Sequence, residues 1–268
     1  MSPIRVKVDG GVAVLTLHRP GKHNAFTRDM GIALGEHYRA FDADDSIRAI
    51  VLTGTAPAFC AGADLGGGAS TFDSPDAPEF SASPVFPPAY ELRKPVIAAV
   101  NGHAIGIGLT LALQADIRIV ADEGAYSVPQ VRLGVIPDAA SHWTLPRIAG
   151  MAAAAEIMLT GRRFRGPEAI RLGIASQSLP AAEVLPAALE MARDIATNVA
   201  PMSAALCKRL LWEGVSGGLD AAQTAQLETD LHHRVMGTAD AAEGVRAMLE
   251  RRTPRWSARV SEEWKPIR

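Results

Sequence analysis

The stretch Lys94-Pro95-Val96-Ile97-Ala98-Ala99-Val100-Asn101-Gly102-His103-Ala104-Ile105-Gly106-Ile107-Gly108 is apolar at every position from Val96 to Val100 and then breaks at Asn101-Gly102. A short apolar run bounded by proline and an Asn-Gly turn predicts a buried strand. Continued to Ala112 the stretch raises the question of a membrane span. Asn101, His103 and several glycines interrupt it well short of a bilayer's thickness, so it is assigned to the core. A glycine-bearing helix is predicted to follow through Leu113, and Ile117 to Val120 reads as the next strand. Strand, helix and strand in that order imply a parallel crossover.

Towards the N-terminus, Ile4 to Val8 and Val12 to Leu17 alternate apolar and polar residues about Asp9-Gly10-Gly11, a hairpin signal. Thr27 is placed to cap a helix carrying Met30, Leu34, His37 and Phe41 at helical spacing, and Ala49 to Thr53 reads as a third strand. Residues 66–88 are rich in Gly, Ser and Pro, with Phe72, Phe80 and Phe86 spaced irregularly, which predicts a long, mobile loop of functional use. From Met151 onward almost everything is predicted helical, over 151–160, 181–199, 201–215, 219–236 and 238–250.

With 268 residues, 48% apolar and 21% charged, the chain can bury a sizeable core as one large domain, or as one domain and an appendage. A net charge of −2 leaves no basic footprint for nucleic acid. Arg5, Lys7 and Asp9 among the first valines read as a strand and not as a secretory signal, so the N-terminus is expected to be retained. Cys60 and Cys207 lie far apart and fit neither a disulfide framework nor a metal knuckle, which points to reduced thiols and a cytoplasmic location. His232-His233 has no further spaced ligands, so no metal is expected.

The segment just read, together with Ala58-Phe59-Cys60-Ala61-Gly62-Ala63-Asp64-Leu65, Asn24-Ala25-Phe26, Leu133-Gly134-Val135-Ile136-Pro137, Leu159-Thr160-Gly161 and Ala169 to Gly173, resembles the crotonase (enoyl-CoA hydratase/isomerase) superfamily, in family order and over most of the chain. The resemblance implies an α/β fold, a crotonase-like spiral of ββα turns with a helical C-terminal region. It divides the chain into an acyl-CoA-binding spiral domain, 1–195, and a helical region for oligomerisation, 196–268. It further implies a trimer or a pair of trimers, with coenzyme A present as part of the substrate and no separate cofactor. Neither a nucleic acid nor a membrane partner is expected.

Such an enzyme must stabilise the enolate oxygen that forms when a thioester loses an α-proton, and fixed N–H donors do this best. By resemblance the donors are the backbone N–H groups of Ala63 and Ile107. The second also follows from its place at a helix start after Gly106, where N–H groups lack helical partners. The family usually has glycine where this chain has Ile107, and the branched side chain is expected to narrow the pocket floor. Coenzyme A is expected near Asn24, Ala25, Ala61, Asp64 and Leu65, with Arg19 and Lys22 charge-suited to phosphate. Gly106, Thr110 and Gln130 are expected along the acyl group.

Typical hydratases of the family carry glutamates at the positions of Thr110 and Gln130, and neither a hydroxyl nor an amide accepts a proton at neutral pH. Asp138, eight residues beyond Gln130, matches the position where several family isomerases and a related dehalogenase place a catalytic aspartate. One carboxylate suffices to move a proton between two carbons. Val135, Ile136, Ala139 and Ala140 are expected to surround it with poorly solvated space and raise its pKa. These residues together favour an enoyl-CoA isomerase. The alternatives left open are a hydratase, thioester or carbon–halogen hydrolysis, and a catalytically silent acyl-CoA-binding protein. Asp138 also reads as the N-cap of a helix. Trp143, His142 and His103 are assigned structural roles.

Overall fold

A computed structural model of the chain describes residues 2–68, 71, 81–216 and 218–267. The N-terminal runs form β1 (Ile4–Asp9) and β2 (Val12–Leu17), paired antiparallel. Thr27 caps α1 (Arg28–Ala43), its Oγ1 accepting from the Met30 N–H at 3.3 Å. Next come β3 (Ala49–Gly54), β4 (Ala58–Cys60), β5 (Val96–Val100), β6 (His103–Ile105), α2 (Ile107–Ala112), β7 (Ile117–Ala121), β8 (Tyr126–Ser127) and α3 (Ser141–Thr160). They are followed by α4 (Gly166–Arg171), β9 (Gln177–Leu179), α5 (Ala181–Asn198), α6 (Pro201–Ser216), α7 (Ala221–Val235), α8 (Ala239–Glu250) and α9 (Val260–Glu263).

The strands form a six-stranded sheet in the order β1-β2-β3-β5-β7-β9, parallel beyond the first hairpin, and a three-stranded parallel sheet β4-β6-β8. The two-residue period of a strand assigns the central residues to opposite faces. Ile50, Leu52, Val96, Ala98, Val100 and Val120 join the main core, whereas Ala49, Val51, Ile97, Ala99 and Ile119 pack under Val184, Ala188 and Ala192 of α5. This double burial is why Val96–Val100 is apolar throughout. Each of β3, β5 and β7 hands the chain to a strand of the small sheet, which produces the expected spiral of ββα turns.

Several sequence expectations are corrected. The turn at Asn101-Gly102 leads into β6 before α2, because a three-residue strand is too short to show periodicity. The region after Met151 also contains a strand, β9, whose Gln-Ser-Leu sequence carries no strand pattern and is set by pairing with β7. α3 begins at Ser141, ten residues before the predicted start, and kinks at Gly150 (φ 78°, ψ 162°). Of the 66–88 loop, residues 69–70 and 72–80, with Phe72 and Phe80, lie outside the described residues; Phe86 is exposed. No helix among the described residues is long and apolar enough to cross a membrane.

The C-terminal helices are tied to the sheet by a buried cation. Lys208 on α6 donates from Nζ to the Ala89 carbonyl (2.8 Å) and the Lys94 carbonyl (2.9 Å), and pairs with Asp116 Oδ2 (2.8 Å). Asp116 in turn accepts from the Val96 N–H and from Trp212 Nε1, each at 2.7 Å. The α6 cation thereby reaches the beginning of β5.

Candidate active site

At the other end of β5 the chain passes through β6 and turns at Gly106 (φ 54°, ψ −122°), a left-handed conformation that favours glycine. The Gly106 N–H donates to the Ser127 carbonyl at 2.9 Å and fastens the turn to β8. α2 then starts at Ile107 with no side-chain cap, so the Ile107 N–H has no helical partner. α2 can seat itself against the end of β4 because residue 108 is glycine, where a Cβ would run into the Cys60 carbonyl oxygen.

That seating brings the Cys60 to Ala63 segment beside the start of α2. Phe26 bridges this segment by donating to the Gly62 carbonyl (2.7 Å) and accepting from the Asp64 N–H (3.0 Å). A parallel bridge uses the groups on either side of the central residue and leaves its N–H pointing away. Among the described residues, neither the Ala63 nor the Ile107 N–H has a hydrogen-bond partner. Ile107 itself packs into the main core.

Thr110 stands three residues beyond Ile107 on α2, its Oγ1 lying 3.3 Å from the Ile107 carbonyl. Its Oγ1 donates to Asp138 Oδ1 at 2.6 Å. Gln130 Nε2 approaches the same oxygen at 3.5 Å, a long and weak contact. The two positions that lack a carboxylate are thus turned onto the residue that has one. Oδ2 of Asp138 has no hydrogen-bond partner among the described residues. Burial raises the Asp138 pKa above the ordinary carboxylate value, and the hydrogen bonds from Thr110 and Gln130 oppose the rise.

The surroundings of Asp138 correct one expectation. Ile136 is 77% exposed and does not screen the carboxylate; Ala139 is fully buried. Ala139 and Ala140 both adopt left-handed backbone (φ 52° and 58°), a strained arrangement for alanine that persists only when neighbours fix it. Here Gln114 Nε2 donates to the Ala139 carbonyl (3.0 Å) and the Ala139 N–H donates to the Ala82 carbonyl (2.7 Å). Gln114 was not singled out from the sequence, although a polar residue just past an otherwise apolar helix was a usable signal. The N-cap reading of Asp138 is excluded, since α3 is capped at Ala140 without a side-chain bond.

The residues expected to meet coenzyme A lie at the turn beside β4. Asn24 is fully buried, donating to the Thr55 and Ala58 carbonyls (both 2.7 Å) and accepting from the Arg19 N–H (3.0 Å). Arg19 binds the Ala25 carbonyl (2.6 Å) and Asp64 Oδ2 (2.7 Å), and Asp64 Oδ1 accepts from the Gly66 N–H (3.0 Å). The side chains of Asn24, Arg19 and Asp64 therefore hold the turn itself; Ala25 is buried with its N–H bonded to the Lys22 carbonyl and its carbonyl to Arg19, so exposed Ala61 and Leu65 are left to offer surface. A cleft of about 490 Å³ opens alongside, lined by His18, Arg19, Lys22, Thr27 and Asp29 among others.

Trp143 stacks with Trp212 and touches Tyr90, and Arg147 lies over the Trp143 ring. His103 Nδ1 accepts from the Ala125 N–H at 3.0 Å. His232 meets the Glu228 carbonyl, and the described residues contain no group of three or more His, Cys, Asp or Glu suited to a metal. Cys60 is buried, which pushes its thiol up to about 11, and both cysteines are free.

Comparison with known proteins matches residues 7–259 to the enoyl-CoA hydratase/isomerase family model. An enoyl-CoA hydratase of Alternaria alternata is 35% identical over 264 residues, covering 96% of this chain and 88% of the relative. A carnitinyl-CoA dehydratase of Proteus mirabilis is 36% identical over 257 residues, covering 93% and 96%. The crystal structure of a probable enoyl-CoA hydratase/isomerase from Mycobacterium abscessus superposes with a TM-score of 0.92 at 58% identity, covering 96% of this chain and 99% of that one.

Proposed function

The chain belongs to the enoyl-CoA hydratase/isomerase family, and from that premise we propose that it is an enoyl-CoA isomerase in which Asp138 is the one base. The observation that carries this reading is the convergence of Thr110 and Gln130 on Asp138 Oδ1. A site with one carboxylate, steadied on one oxygen and free on the other, suits the transfer of one proton out and back.

In this reading the thioester carbonyl of a 3-enoyl-CoA accepts hydrogen bonds from the Ala63 and Ile107 N–H groups. Asp138 Oδ2 removes a proton from C2, and the electron pair enters the thioester as a dienolate. The same oxygen returns the proton to C4, the C3–C4 double bond is lost and a C2–C3 double bond forms. No water is consumed. Fixed donors at the developing enolate oxygen each contribute about 3 kcal/mol to such a step.

Hydration is the second reading, favoured by relatives that carry hydratase names. It calls for a group to activate water and a group to protonate C2. Offered a 3-enoyl-CoA and a 2-enoyl-CoA in deuterated water, the enzyme is expected to migrate the first bond with most of the transferred hydrogen retained, because Asp138 returns the proton it removed, and to hydrate the second slowly or not at all. Mass spectrometry reads both, and rapid hydration without migration would sink the proposal.

Thr110→Val supplies a test of the hydrogen bond. Loss of that donor removes an influence that lowers the Asp138 pKa. Since the base works ionised and activity fails as pH falls through its pKa, the acid limb of the pH–rate profile is expected to move to higher pH. A fall of roughly 3–10-fold in kcat at neutral pH should accompany it. An unmoved limb would show that Thr110 does not tune the carboxylate.

A trimer or pair of trimers, a place in fatty acid metabolism and a cytoplasmic location belong to the same proposal, the last supported by the two free thiols.

A further inference from the structure

Asp138 opens a tight turn of unusual hand. The Ser141 N–H donates to the Asp138 carbonyl at 2.9 Å, and the two residues between them, Ala139 and Ala140, are both left-handed (φ 52° and 58°). Turns of that hand are ordinarily built from glycine, asparagine or aspartate, whereas the mirror-image form accepts most residues. Two alanines keep it only while the peptide between them, at the centre of the turn, is prevented from rotating. The Ala82 carbonyl accepts from the Ala139 N–H at 2.7 Å and so holds the peptide before Ala139. The central peptide is held by Gln114, whose Nε2 donates to the Ala139 carbonyl at 3.0 Å, both residues being buried. Gln114 continues the last turn of α2, its N–H donating to the Leu111 carbonyl at 3.1 Å, and stands four residues beyond Thr110, which holds Asp138 Oδ1 at 2.6 Å. Residues at that spacing on a helical turn are neighbours on one face. One face of one helix therefore grips both the carboxylate and the backbone that follows it.

Resting on the one-base reading above, we propose that Gln114 is a positioning residue for the proton transfer: through the Ala139 carbonyl it fixes the left-handed turn that aims Asp138 Oδ2 at the substrate carbon. Without that bond the turn can adopt the ordinary hand, which rotates the backbone beside Asp138 and swings its free oxygen off line. Gln114 touches no reacting atom and acts only through Asp138, so its removal slows the chemical step and leaves the binding of the thioester in place.

The test follows double-bond migration of a 3-enoyl-CoA in Gln114→Met, a side chain of similar length and volume that donates nothing. kcat is expected to fall roughly 10-fold with KM within about 2-fold of the parent's, since a small misplacement of a reacting group slows the step without weakening binding. The same substitution made in Asp138→Asn is expected to leave the residual rate unchanged, because no base remains to be aimed. A residue that merely supports the fold would lower that residual rate as well. A parental kcat in folded Gln114→Met, a loss carried by KM alone, or a further loss in the Asp138→Asn background would each overturn the Gln114 assignment. Gln114→Asn keeps the amide but retracts it by one methylene; it is expected to lose kcat in the same way, and it decides the matter if the methionine protein does not fold. Should Asp138→Asn itself migrate the bond at the parental rate, the one-base reading falls and this inference with it. A collapse in Asp138→Asn beside a parental rate in Gln114→Met removes the Gln114 assignment alone.

Discussion

Asp138→Asn is expected to lower double-bond migration by roughly 10²-fold or more while leaving the fold intact. Asparagine keeps an oxygen for the Thr110 hydroxyl and the Gln130 amide but cannot take a proton from carbon. Burial raises the Asp138 pKa in the folded protein. A carboxyl whose folded pKa lies above its unfolded value binds its proton more tightly when folded, so its ionised form works against folding at pH values above both. The neutral variant is therefore expected to melt at the same temperature as the parent or higher, while its activity collapses. A merely structural aspartate would show the opposite pairing, with activity kept and melting lowered. In the parent, the acid limb of the pH–rate profile should lie above the ordinary carboxylate range near pH 4. A rate that survives the substitution would remove Asp138 from the mechanism.

That prediction was partly open to inspection in the sequence. The start of α2 was legible because Gly106 and Gly108 punctuate an apolar run, and an uncapped helix start leaves a free N–H whatever side chain follows. Strands β1, β2, β3, β5 and β7 were legible through their apolar patterns. The contact of Thr110 with Asp138 spans 28 residues, and no local pattern encodes it. The left-handed turn at Ala139-Ala140 was invisible for a sharper reason, since left-handed backbone is ordinarily announced by glycine or asparagine. Ala139 is fixed there by bonds to Gln114 and Ala82 from other elements, while the Ala140 carbonyl accepts from the Trp143 and Thr144 N–H groups of α3. Likewise Ile136, apolar and adjacent to the site in sequence, points outward, so proximity along the chain misjudged what shelters the carboxylate.

Lys208 offers the largest expected effect on stability, and it was passed over in the sequence as one cation in a helical region. Its ammonium is buried against Asp116 Oδ2 and two carbonyl oxygens, and burial lowers its pKa while Asp116 raises it. Lys208→Met removes the charge and three hydrogen bonds and leaves Asp116 ionised in a site with less than full compensation. Breaking one partner out of a buried pair typically costs 3–5 kcal/mol, so a fall in Tm of roughly 6–12 °C or more is expected by calorimetry. Asp116→Asn alone should also destabilise, since its partner is then a buried cation. The double variant should lose less than the sum of the two, because neither charge is stranded. The lysine meets the sheet where β5 begins, whereas Gly106, Ile107 and Asp138 follow from where β5 ends. At temperatures where the variant remains folded, its kcat should thus match the parent's. A parental Tm in Lys208→Met would mean that apolar packing alone holds α6, and an equal loss of kcat would mean that strain at the start of β5 reaches the site.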